Sequence, residues 1–153
     1  MEPTENLPDY LNRLSVHSLP ATKQRILEQA VTSPKFYTVI YDYNTTDDDH
    51  TIYILEYGIL EPFKNEVKVY RVKSRYSKIL KLYEEVKSIY GTRNLPSFPG
   101  KKYFGNNTDK LAKDRSIQMA PFIHKLNTYP SICDKPIFQS IFPEFKNNIP
   151  GNK

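Results

Sequence analysis

Tryptophan is absent and cysteine occurs once among the 153 residues. A lone Cys133 cannot form an internal bridge, so the fold is compatible with a reducing compartment. Glycine is scarce as well, and the five scattered residues build no phosphate-cradling loop. No apolar run approaches the roughly 20 residues that span a bilayer. The polar, acid-first N-terminus MEPTENLPDYLNRLSVHSLP carries no secretory apolar region. The expected compartment is therefore cytoplasmic. His17, His50 and His124 lie far apart and show no metal-ligand spacing with Cys133. Asp47-Asp48-Asp49 lacks the alternating ligands of a calcium loop and reads as a solvated hairpin tip. No catalytic constellation emerges, so the expectation is a non-enzymatic protein with no cofactor and no metal.

Lysine and arginine are plentiful, and they are unevenly placed. Residues 1–61 hold four Lys/Arg against ten Asp/Glu, whereas residues 62–115 hold fourteen against five. The net charge of +5 thus conceals an acidic first part and a central stretch at +9. Such a stretch favours an anionic partner: nucleic acid, phosphate or a membrane surface. A solvated lysine-rich face is the bland alternative.

The pattern along the chain predicts an α+β domain. Residues 1–33 read as an extension with a short helix around ATKQRILEQAV, residues 34–146 as the domain, and residues 147–153 as a C-terminal tail. KFYTVIYDYN and HTIYILEYGIL are rich in β-branched and aromatic residues and flank a polar loop, which predicts a hairpin. NEVKVYRVKSRY alternates again and supplies a third strand, with Val67, Val69, Arg71, Lys73 and Arg75 on one face. The expectation is a three-stranded antiparallel sheet packed against a helical subdomain. Ser77 reads as an N-cap for a helix containing Ile79, Tyr83, Val86 and Tyr90, with Gly91 as its stop. A proline-rich loop follows. Thr108 or Asn107 then caps a second helix, which Pro121 should kink or divide. DKPIFQSIF forms a last helix.

The basic and aromatic residues carry the most information. Arg75 stands at the end of the third strand, where a rigid backbone can aim its planar fork at a phosphomonoester. Tyr76 beside it offers a flat face for a sugar-like ring. The ordinary alternatives are a surface salt bridge for Arg75 and core packing for Tyr76.

Three motifs in order then point to a family. SRYSKI resembles the Arg-Arg-Tyr-Ser-x-Phe signature of PX (phox-homology) domains, with Ser74 in place of the first arginine and Ile79 in place of phenylalanine. LPSFPGK resembles that family's proline-rich loop, and KDRSIQMAPFIHKLNTYP its arginine-bearing helix. The resemblance runs from about Lys35 to Phe145. It implies a sorting-nexin-like module that binds phosphoinositides, above all phosphatidylinositol 3-phosphate, and acts peripherally on endosomal-type membranes in trafficking and protein sorting.

Carried over by motif, the resemblance implies four head-group residues. Arg75 would bind the 3-phosphate, Tyr76 would pack against the inositol ring, Lys101 would neutralise the 1-phosphate, and Arg115 would hydrogen-bond the ring hydroxyls. Lys102 stands as an auxiliary to Lys101. Tyr103 and Phe104 are candidates for membrane insertion, with Phe104 folding back into the core as the alternative. Lys102, Lys110 and Lys113 would meet anionic lipid heads, at about 1 kcal/mol each when close to the surface. The implied partners are a phosphoinositide head group, a membrane surface and trafficking proteins, with no nucleic acid. Two competing functions stay in view: nucleic-acid binding through the basic stretch, and docking of Pro96-x-x-Pro99 on an SH3-type domain.

Overall fold

A computed structural model describes residues 4–17, 35–45, 51–61, 65–100 and 109–146. In chain order they form β1 (Thr4–Asn6), α1 (Leu7–His17), β2 (Phe36–Thr45), β3 (Thr51–Glu61), β4 (Glu66–Ser74), α2 (Tyr76–Tyr90), α3 (Asp109–Lys125) and α4 (Pro136–Ile141). Short 3₁₀ turns at Leu126–Thr128, Ile132–Asp134 and Pro143–Lys146 complete the C-terminal part.

The expected α+β architecture with an antiparallel sheet is present, but the sheet has four strands where three were expected. Its order is β1-β4-β3-β2. The added strand comes from the supposed extension, where Thr4–Asn6 pair antiparallel with Glu66–Lys68. The helix that follows it, α1, occupies LPDYLNRLSVH. The helix expected around ATKQRILEQAV lies outside the described residues, as does the Asp47-Asp48-Asp49 tip.

Period-two geometry divides β3 between two layers. Tyr53, Leu55, Tyr57 and Ile59 enter the main core with Phe36, Ile79, Leu82, Val86, Met119, Phe122 and the phenylalanines of the C-terminal turns. Each large side chain removed from water there contributes about 1.5–3 kcal/mol. The opposite face lies under α1, where Tyr10 packs with Tyr37, Val39, Val67 and Val69. Gly58 on β3 permits that close approach: a Cβ there would fall 2.5 Å from Val67 Cγ1 and 2.7 Å from Tyr10 Cζ.

The α1 face also buries a carboxylate. Glu56 is fully buried and accepts from Arg13 Nη1 at 3.2 Å, Arg13 Nη2 at 2.8 Å and Arg71 Nε at 2.9 Å. Arg13 also grips Glu5 on β1 through Nε at 3.0 Å and Nη2 at 2.7 Å. Those bonds hold the Arg13 proton more firmly than an ordinary guanidinium's. Burying one carboxylate demands this degree of compensation, and the result ties α1 and β1 to the sheet centre.

Candidate functional site

The corner at residues 74–76 differs from expectation by two residues. β4 ends at Ser74, helix α2 already begins at Tyr76, and Arg75 is its N-cap with extended backbone at φ −90° and ψ 159°. Ser77, expected as the cap, sits exposed in the first turn. The Arg75 carbonyl explains the earlier start. It accepts from the amides of Lys78 at 3.2 Å and Ile79 at 3.3 Å, and from the Ser74 hydroxyl at 3.2 Å. The Arg75 side chain makes no capping hydrogen bond and the first turn holds no acidic residue, so nothing within that turn offsets its positive end. The Arg75 side chain is exposed and has no ion-pair partner among the described residues. Gly91 closes the helix as expected, with φ 83° and its amide on the Lys87 carbonyl at 3.0 Å.

Tyr76 joins three separated segments. Its hydroxyl donates to the Pro99 carbonyl at 2.5 Å. The Arg115 guanidinium carbon lies 4.0 Å from its ring centroid, and Phe98 lies 5.7 Å away on a ring tilted by 32°. A guanidinium over an aromatic face is worth about 0.5–2 kcal/mol depending on desolvation. Burial pushes the Tyr76 hydroxyl above its ordinary pKa, with Arg115 acting in the opposite direction. The ring is thus well packed, in line with the ordinary reading of this tyrosine, while also touching Arg115.

Arg115 reaches Tyr76 because α3 is fastened across the sheet. The Thr38 hydroxyl donates to the Ile123 carbonyl at 2.5 Å, and Met119, Phe122 and Ile123 are fully buried. Pro121 does not divide this helix, which runs continuously from Asp109 to Lys125. Its packing outweighs the one helical hydrogen bond that proline cannot make. Arg115 Nε is buried beside the Tyr53 hydroxyl and makes no well-formed hydrogen bond among the described residues. Burial raises the neighbouring Tyr53 hydroxyl's pKa, and Arg115 counteracts that rise.

Sequence reasoning placed Tyr83 in the helix but overlooked its hold on the proline segment. Its hydroxyl donates to the Pro96 carbonyl at 3.0 Å, and its ring stacks on Phe98 with centroids 4.6 Å apart. Tyr76 and Tyr83 are seven residues apart, which spans about 10.5 Å along a helix. Pro96 to Pro99 spans about 9–10 Å in an extended chain. The two lengths match, so the helix grips the proline segment at both ends, in antiparallel sense. That spacing was present in the sequence as a usable signal. Pro99 is buried, and both proline carbonyls accept hydrogen bonds, so Pro96-x-x-Pro99 would have to leave α2 to dock on an SH3-type domain.

The segment leads directly to Lys101. Lys101, Lys102, Tyr103 and Phe104 lie outside the described residues, as do the Asn107 and Thr108 caps. Among the sequence-derived site residues, the described ones are therefore Arg75, Tyr76 and Arg115. Tyr76 and Arg115 are in contact, and Arg75 precedes Tyr76 at the exposed corner. Among the described residues no group of three His, Cys, Asp or Glu side chains is placed to hold a metal ion. His124 and Cys133 are buried, and burial pushes the Cys133 thiol up. No helix among the described residues is long and apolar enough to cross a membrane.

A family model and two solved structures match the chain. The family model described as PX domain matches residues 63–144, more than half of the chain. The X-ray structure of a designed CISK-PX domain superposes with a TM-score of 0.50 at 18% identity, covering 67% of this chain and 94% of that one. The mouse SNX19 PX domain, crystallised with a bound sulphate ion, gives a TM-score of 0.46 at 16% identity, covering 72% and 95%. No curated protein matches. With the signature corner, the proline segment and the α3 arginine lying within or beside the matched residues, the chain belongs to the PX domain family.

Proposed function

We propose that this chain is a non-catalytic, phosphoinositide-binding module that recruits itself to membranes, with phosphatidylinositol 3-phosphate as its preferred lipid and endosomal-type membranes as its site of action. The observation that carries the reading is the meeting of three segments at Tyr76: α2, the proline segment through Pro99, and α3 through Arg115. Arg75 beside it is exposed and unpaired among the described residues, at a helix start without a side-chain cap. An exposed guanidinium at such a helix end suits a phosphomonoester. In this reading Arg75 grips the 3-phosphate, Arg115 meets ring hydroxyls, Tyr76 supports the ring, and Lys101, assisted by Lys102, faces the 1-phosphate. Tyr103 and Phe104 then enter the bilayer beside it.

The test is sedimentation with liposomes, with and without phosphatidylinositol 3-phosphate, comparing the wild-type chain with Arg75→Ala. The variant should lose lipid-dependent sedimentation while keeping its circular dichroism spectrum and urea midpoint. Undiminished sedimentation of a folded variant would remove Arg75 from the site. The same basic stretch keeps one competing ligand class relevant. Tight binding to an unrelated oligonucleotide at physiological salt, unaffected by Arg75→Ala, would favour nucleic acid instead.

A further inference from the structure

We infer that Arg115 occupies its own site when no ligand is bound, so a phosphorylated head group must move this guanidinium off the Tyr76 ring before that ring can support it. The inference rests on the head-group reading above and concerns the regulation of that site. Tyr76 has no free face in the structure. Arg115 covers it at 4.0 Å, van der Waals contact that leaves no space for a second ring between them. Phe98 crowds it at 5.7 Å, the hydroxyl is committed to Pro99, and only 9% of the residue remains exposed.

The stack is held without being locked. Arg115 has no salt bridge among the described residues, and its buried Nε makes no well-formed hydrogen bond there, the Tyr53 hydroxyl being its polar neighbour. A charged donor left unsatisfied opposes the cation–π attraction that keeps it there. Hydroxyl or phosphate oxygens would supply the missing acceptor. Arg75, exposed on the corner one residue away from Tyr76, is free to capture a phosphate first. Arg115 then exchanges the aromatic face for the oxygens of the bound ring. The apparent affinity is lowered by the fraction of molecules with Arg115 on the ring.

Arginine side-chain NMR tests this directly, because the chain has only six arginines. Arg115→Lys deletes one Nε–Hε signal and so identifies it. In the free protein the Arg115 signal should lie upfield of that of exposed Arg93, through the ring current of Tyr76. Titration with soluble inositol 1,3-bisphosphate should perturb the Arg75 signal and abolish the upfield displacement of Arg115 at saturation. An Arg115 signal that stays upfield while Arg75 responds would overturn the displacement and leave the binding reading intact. No upfield displacement in the free protein would also overturn it. No response at Arg75 would overturn the head-group reading, and the displacement with it.

Discussion

Tyr83 holds the Pro96 carbonyl at 3.0 Å from a position two helical turns beyond Tyr76, which holds Pro99. The proline segment is thereby attached to α2 by two phenols that share one helix face. Proline supplies no amide donor at either position, so the carbonyls are the groups available for this attachment. Loss of either phenol should loosen the approach to Lys101.

Tyr83→Phe isolates that effect, because the ring stays on Phe98 while the hydroxyl is lost. The expected cost is about 0.5–1.5 kcal/mol, the net worth of one hydrogen bond. Urea unfolding should report it as a lower midpoint at unchanged slope, and liposome sedimentation should weaken alongside. A variant with a lower midpoint and wild-type sedimentation would show that the attachment serves stability alone.

Arg75→Lys tests whether the site needs a fork or only a charge. Lysine keeps the charge but cannot make the paired, planar contacts of a guanidinium. Binding to phosphatidylinositol 3-phosphate liposomes should fall roughly tenfold, the equivalent of about 1.4 kcal/mol. Stability should change by less than about 0.5 kcal/mol, as is usual for an exposed side chain. Unchanged lipid affinity would argue for a point-charge contact.

Arg13→Ala should be far more damaging to the fold than any site substitution. It leaves the fully buried Glu56 with Arg71 alone and breaks the link to Glu5. Removing one partner of a buried ion pair costs about 3–5 kcal/mol. The lower end is expected, because Arg71 remains. Chemical denaturation measures this, and a loss below about 1 kcal/mol would mean that the network is looser than its geometry.

Alkaline stability follows from the buried tyrosines. Burial raises Tyr37 and Tyr57 to about 12 and Tyr10 well above its ordinary value. Their folded-state pKa values exceed the unfolded value of about 10. The folded protein therefore retains protons that the unfolded chain releases. This contribution is fully present below pH ~10 and is lost as pH rises towards ~12. Ultraviolet titration should show a late-ionising group of tyrosines whose appearance coincides with loss of the folded circular dichroism signal. Complete tyrosine ionisation near pH 10 with the fold intact would contradict it.

The local elements were largely legible in the residues. β-Branched and aromatic enrichment announced β2 and β3, alternation announced β4, and Gly91 closed α2 as its backbone freedom allows. Ser77 misled because a hydroxyl before a helical pattern is a good cap in isolation, whereas the Arg75 carbonyl had already started the turn. The N-terminal strand and α1 went unseen because three paired residues carry no periodic signal. Moreover, α1 has meaning only against the groove over Gly58. Motif order singled out Arg75, Tyr76 and Arg115 as candidates, but not the part Tyr83 plays beneath the proline segment.

The amino-acid sequence alone determined the central basic stretch, the strand-to-helix corner and the order of the three motifs, because each depends on neighbours along the chain. Only the tertiary structure decided that Glu56 is buried between two arginines and that the Arg115 guanidinium rests on the Tyr76 ring. Those contacts join residues tens of positions apart. Their geometry arises from how the sheet, α2 and α3 exclude water together, which no local pattern encodes.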